Sequence, residues 1–273
     1  MNLLPEPYAF LQTALAAGLL ASIGCGVMGS YVVVKRIGYL AGGIAHSVLG
    51  GMGVAVYLGA APLGGALAAA ILAALFIGWI KLRHQTHEDT LIGAVWALGM
   101  SIGVIFIART PGYAADLMGY LFGNILLVSP DQLGRLTALD ALVVGFVLVW
   151  YRPFLAVAFD EEFARLRGLP VTFFYLLFLC LVALSVVLLV QVVGLILVIA
   201  LLTLPAAIAA RHTTTLGRMM VLASVLGMVF TSTGIALSYW WDLPSGPVII
   251  LVAGSAYLAA TLFSALPQKR LRP

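Results

Sequence analysis

The sequence predicts an all-α, polytopic integral membrane protein of about nine transmembrane helices, and three observations predict it. Of its 273 residues 63% are hydrophobic and only 9% are charged, whereas an ordinary soluble domain is about 25% charged. Nine apolar stretches are long enough to cross about 30 Å of hydrocarbon, which takes about 20 residues of helix. The basic residues, Arg135 excepted, fall outside these stretches with a bias to one side, as short cytoplasmic loops require.

The stretches run in order as follows. Tyr8 to Val34 comes first, and Met1 to Pro7 ahead of it carries no Lys or Arg. It therefore lacks the basic n-region of a cleaved signal peptide and is expected to stay in the fold. Ile37 to Leu58 follows the basic pair Lys35 and Arg36, and Pro62 to Ile80 ends at Lys81 and Arg83. Thr90 to Ala108 is fourth, with Asp89 or Thr90 expected as its N-cap. The connection Thr110 to Asp131 contains "YLFGNILLV", too short to span, which predicts a re-entrant or interfacial helix. Gln132 to Trp150, Val171 to Val190, Val193 to Ala210, Met219 to Trp240 and Pro247 to Ala265 complete the set. No soluble domain, internal repeat or low-complexity region stands out, so residues 1–273 read as a single transmembrane domain.

An odd number of crossings puts the termini on opposite sides. With the N-terminus outside and the C-terminus cytoplasmic, twelve of the fourteen Lys and Arg lie inside, and only Arg109 and Arg135 lie near the outer face. Tyr239, Trp240 and Trp241 then suit the outer aromatic belt. The net charge of +4 is spread singly or in pairs between apolar runs, a mark of membrane topology rather than of nucleic-acid binding. Cys25 and Cys180 fall inside spans and read as small core residues.

Several chemistries are missing. There is no G-x-x-x-x-G-K-[ST] phosphate loop, no G-x-S-x-G elbow and no H-E-x-x-H pair. The chain is therefore expected to be no enzyme and to bind no cofactor of its own; if ATP powers transport, another subunit binds it.

"YLAGGIAHSVLGG" holds the main candidate. His46 is nine residues past Ile37, which at 1.5 Å per residue places it roughly 14 Å into the second span, near the midplane. Positions three, four and seven away share its helical face, and they include Gly42, Gly43, Gly50 and Gly53. Glycine stripes allow close helix packing, which is one reading of the motif. In the other, these glycines line a path, because ionisable groups at membrane depth are costly and mark paths or sites. Neutral imidazole suits zinc. A zinc site takes about three or four ligands, so a second copy of the chain, or water, has to complete the shell.

Other polar groups carry weaker signals. His84, His87, Glu88 and Asp89 form "HQTHED", loosely spaced for a divalent metal and in a solvated loop. His212 ends a helix beside Arg211, where a cation suits the helix dipole. Asp140 and Arg135 are five apart and point to different helix faces, so each is expected to find a partner elsewhere. "FDEEFARLRGLPV" puts acids before bases, as a short helix prefers, and Gly168 and Pro170 stop it. It reads either as a link or as a lever docked on a cytoplasmic partner.

Five pieces, "GGIAHSVLGG", "EDTLIGAVWALGMSIGVIF", "YLFGNILLVSPDQL", "FDEEFARLRGLPV" and "VGLILVIALLTLPAAIAAR", occur in the order seen in one family. The chain resembles the permease subunits of zinc and manganese ABC transporters, the ABC-3 family, along nearly its whole length. The resemblance implies the ABC importer permease fold in a bacterial or archaeal cell membrane. It implies a homodimer with a pore on its two-fold axis, ATPase subunits beneath it and an extracytoplasmic metal-binding protein above it. It makes residues 159–169 the coupling helix on the ATPase, through Asp160, Glu161, Glu162, Phe163, Ala164, Arg165 and Gly168, and it makes His46 the pathway histidine. Many members carry an aspartate where this chain has Gly42, and a proline where it has Gly50. Imidazole without carboxylate favours zinc as the transported ion. Manganese, iron, a metal chelate, or an ATP-independent secondary transporter are the other readings.

Overall fold

A computed structural model of the chain describes residues 9–83, 88–110, 123 and 125–265. Among the described residues there is no strand, and nine helices are long and apolar enough to cross a membrane. These are α1 (Ala9–Val34), α2 (Gly38–Tyr57), α3 (Pro62–Arg83), α4 (Glu88–Ala108), α5 (Pro130–Val149), α8 (Val171–Val193), α9 (Leu195–His212), α10 (Leu216–Trp241) and α11 (Ser245–Ala265). Two short helices, α6 (Tyr151–Phe159) and α7 (Glu161–Leu166), lie between α5 and α8.

The helix ends refine the sequence reading. α4 starts at Glu88, so Asp89 and Thr90 sit in its first turn and do not cap it. α5 starts at Pro130 rather than Gln132, because Ser129 and Gln132 form a capping box: the Gln132 amide donates to Ser129 Oγ at 3.3 Å and the Ser129 amide to Gln132 Oε1 at 2.9 Å. Of "YLFGNILLV", the described part holds one 3₁₀ turn, Ile125–Leu127, packed against α1; the rest of the expected re-entrant helix lies outside the described residues. A single residue joins α8 to α9. Gly194 makes that turn with φ of 81°, in the left-handed region open to glycine.

Two tight helix pairs organise the bundle. α2 and α4 approach backbone to backbone: a Cβ on Gly50 would stand 2.7 Å from the Gly99 carbonyl oxygen, and one on Gly53 would stand 2.6 Å from that of Gly103. Gly43 meets Ile92, so partners along the pair keep an offset of 49 or 50 residues and the two helices run parallel. Gly99 and Gly103 form a G-x-x-x-G face, which permits this closeness. The second pair, α1 and α10, is antiparallel: Gly18 meets Thr231, Ser22 meets Gly227, and Gly26 meets Ser224. The hydroxyls of Ser22 and Thr231 lie 3.3 Å apart within it. α8 packs on α1, α2, α3 and α5 and so joins the two halves, while α11 lies on α9 and α10.

The loops after α1, around α6 and α7, and between α9 and α10 gather at one end. Lys35 contacts Glu161 there, and a groove of about 600 Å³ runs between Tyr151, Phe159 and Phe163 on one side and Thr214 to Leu216 on the other. These are loops that the charge bias assigns to a common side.

Replacing Gly50 by Leu should therefore lower the unfolding temperature of the purified chain in detergent, since forced overpacking costs about 1–3 kcal/mol. Gly145→Leu, where a Cβ meets nothing within 4 Å, is the control and should leave it in place. Equal melting of the two variants would contradict the α2–α4 contact.

Candidate functional site

His46 is the ninth residue of α2, and Trp96 is the ninth of α4. Because the two helices run parallel from neighbouring starts, these residues reach the same depth. Their rings stack with centroids 3.8 Å apart and planes inclined by 23°. Tyr39 flanks the indole at 5.9 Å, and Trp96 Nε1 donates to Met100 Sδ at 3.3 Å, which holds the ring from its other edge. The imidazole is buried, with 8% of its residue surface exposed.

One contact decides its chemistry. His46 Nδ1 lies 2.8 Å from the Gly42 carbonyl oxygen, four residues back along the same helix. A carbonyl only accepts, so Nδ1 carries the proton and donates it. In a neutral ring the lone pair then resides on Nε2, the atom able to bind a metal. Among the described residues no cluster of three or more His, Cys, Asp or Glu side chains surrounds it. A metal at His46 in this conformation would therefore have to draw its remaining ligands from elsewhere.

Of the two readings of the glycine stripe, close helix packing is the one that three of its glycines fit in this conformation. Gly43, Gly50 and Gly53 are occupied by contacts to α4 of the same chain, so in this conformation α4 covers the face expected to line a path. Gly42 differs. A Cβ there would find Trp96 at 3.6 Å and Ile199 at 3.9 Å, ordinary contact distances, so the position tolerates a Cβ.

Asp140 is buried on α5, and its carboxylate occupies the space that a side chain on Gly24 of α1 would need. Its Oδ2 has no hydrogen-bond partner among the described residues, contrary to the expectation that it is paired. Arg135 instead donates through Nε to the Asp131 carbonyl of its own helix, at 3.4 Å. His212 lies in the last turn of α9 as expected. His84 and His87 lie outside the described residues, as does the side chain of Glu88. Cys25 and Cys180 are free thiols.

The segment expected to couple to an ATPase divides by direction. Asp160 caps α7, its Oδ1 accepting from the Phe163 amide at 2.9 Å. Glu161 is tied to Lys35 though its side chain stays partly exposed, and Ala164 is fully buried and presents no surface to a partner. Gly168, with φ of 76°, ends the helix. Outward-facing are Glu162, Phe163, Arg165, Leu166 and Arg167, with Phe159 at the end of α6. Leu166 is 88% exposed, and the Arg167 guanidinium lies over the Phe163 ring at 4.8 Å.

Three contributors were missed in the sequence reading. Trp96 and the Gly99–Gly103 face belong to a helix about 50 residues from His46, and only the pairing of α2 with α4 brings them together. The G-x-x-x-G spacing was the available signal. Lys35 counted as one topological charge, yet its ammonium contacts three helices.

The chain is similar to known membrane proteins along nearly its whole length. The chain is 42% identical over 258 residues to the "Probable metal transport system membrane protein" of Chlamydia trachomatis, covering 92% of this chain and 88% of that one. It is 34% identical to the "Manganese transport system membrane protein MntC" of Halalkalibacterium halodurans, over 94% and 88% of the two chains. Its fold matches the structure of PsaBC from Streptococcus pneumoniae in complex with Fab, with a TM-score of 0.84 and 30% identity, covering 96% of this chain and 94% of that one. The profile of the ABC 3 transport family matches residues 7–264, and the chain belongs to that family.

Proposed function

We propose that the chain is the permease subunit of an ATP-driven importer of a divalent transition metal, in which His46 contacts the ion partway across the membrane. The observation that carries this reading is the held tautomer of His46: a buried imidazole at membrane depth whose Nδ1 is committed to Gly42 and whose Nε2 keeps its lone pair. Ionisable side chains inside membrane spans are expensive and mark transport routes. The tight α2–α4 contact makes a path at His46 depend on movement of α4 or on a second copy of the chain supplying the facing wall. The distribution of Lys and Arg supports an outside N-terminus and a cytoplasmic C-terminus. Family membership supports a homodimer, an ATPase partner and an extracytoplasmic metal-binding protein.

The α6–α7 surface is the dock for the ATPase. Exposed Phe159, Phe163 and Leu166 beside Arg165 and Arg167 combine apolar anchors with charge, the composition of an interface centre.

Two readings of the cargo have separate support. An imidazole without a carboxylate near it favours zinc. The names of relatives such as MntC favour manganese. Gly42 separates them, because it leaves room for the oxygen ligand that hard cations prefer.

In vesicles holding the permease, its ATPase and its metal-binding protein, His46→Ala should abolish metal uptake while subunit assembly is unchanged; retained uptake removes His46 from the route. In the same vesicles Gly42→Asp should shift the ratio of manganese to zinc uptake towards manganese, and an unchanged ratio would show that position 42 does not select the ion. Leu166→Asp should weaken capture of the ATPase about tenfold or more, as expected for a central apolar anchor. Undiminished capture would place the dock elsewhere.

A further inference from the structure

Lys35 lies at the cytoplasmic end predicted for α1, and its side chain is only 9% exposed. Its Nζ donates to the Val157 carbonyl at 2.7 Å and to Glu161 Oε1 at 2.8 Å, and it stands over the Tyr175 ring at 5.3 Å from the centroid. Val157 is in the last turn of α6, where carbonyls lack partners within the helix and a cation can satisfy them. Glu161 opens α7, and Tyr175 lies in the second turn of α8. One ammonium thus ties together three consecutive helices around the proposed ATPase dock.

The other side of Lys35 leads to His46. Only Lys35, Arg36 and Ile37 separate α1 from α2, and they form a closed joint. The Arg36 amide donates to the Val33 carbonyl at 3.1 Å and the Ile37 amide to that of Val32 at 3.0 Å. Arg36 adopts φ of 57°, uncommon for a residue with a side chain, and Ile37 is buried. α2 starts at the next residue, Gly38. A displacement of α6 and α7 therefore has a short and stiff route to the base of the helix that bears His46, with no flexible loop between them.

We infer that Lys35 is a positioning residue that transmits movement of the α6–α7 segment to α2, through its bonds to Val157 and Glu161 and through the α1–α2 joint. The inference rests on the reading that α7 seats the ATPase and α2 carries the metal route. It assigns Lys35 no contact with metal or nucleotide. It also separates the roles of neighbouring acids: Glu162 faces the partner, whereas Glu161 works inside the permease.

The test uses the complete transporter in vesicles, with zinc or manganese as the probe, and measures metal imported per ATP hydrolysed. Lys35→Met keeps the aliphatic stem and removes the charge; it should leave ATPase binding intact and lower the ratio about fivefold or more, the usual scale of coupling between sites. Lys35→Arg, which can reach both acceptors, should restore most of it. Glu161→Gln, at a half-exposed position, should move the ratio in the same direction by less, and it serves as the deciding variant should Lys35→Met fold poorly. An unchanged ratio in Lys35→Met, or in Glu161→Gln where that variant decides, overturns the inference, as does a fall in thermal stability with the ratio intact, which marks a purely structural tie. Wild-type uptake that needs no ATPase would instead overturn the underlying reading, so the two failures are distinguishable.

Discussion

The contact of α2 with α4 over bare backbone is the constraint on which the rest depends. Helices in a bilayer gain little from burying apolar side chains against each other, since lipid is equally apolar, so close packing of small residues holds them together. Gly50 on Gly99 and Gly53 on Gly103 bring the two backbones into that proximity. The same contact settles register and direction. It sets Trp96 opposite His46 and gives the imidazole a flat aromatic wall. Larger residues along this seam would separate the helices, and the ring would lose its support.

The seam also explains how a costly residue is tolerated at depth. A neutral imidazole has one donor and one acceptor. The donor is satisfied within α2 by the Gly42 carbonyl, and one face of the ring is covered by indole. What remains is a single lone pair, the feature that a transition metal can use. Backbone, packing and ligand chemistry thus converge on one atom of one side chain. The end that carries α6 and α7 is built on a similar economy: α7 has only six residues, too few to hold a helix by itself, so its shape comes from the Asp160 cap, the Gly168 stop and the Lys35 tie.

Much of the architecture was legible in the amino-acid chain. Nine spans, their order and the side bias of Lys and Arg follow from length and composition, because a bilayer imposes a fixed thickness on every apolar helix. The place of His46 near the middle of its helix followed from counting residues along the span, and the short helix around Glu161 to Leu166 from its charge order and its glycine stop. The start of α5 was misplaced by two residues because the capping box at Ser129 and Gln132 was overlooked. Asp140 was expected to be paired, yet its Oδ2 lacks a partner among the described residues, since spacing along one helix says nothing about what the next helix offers.

Composition, periodicity and loop charge specify a membrane-spanning bundle and point to a histidine at its middle, because each is a local property that the solvent reads directly. Which neighbour covers each face is a property of residues far apart in sequence. Gly43, Gly50 and Gly53 could equally have faced a path or another helix; the fold turns them to α4. Glu161 and Glu162 are adjacent acids, and only the folded position of Lys35 pairs one of them and leaves the other facing out. Such choices depend on long-range packing, in which small residues set how near two helices come and the helix left alongside decides what each polar group meets.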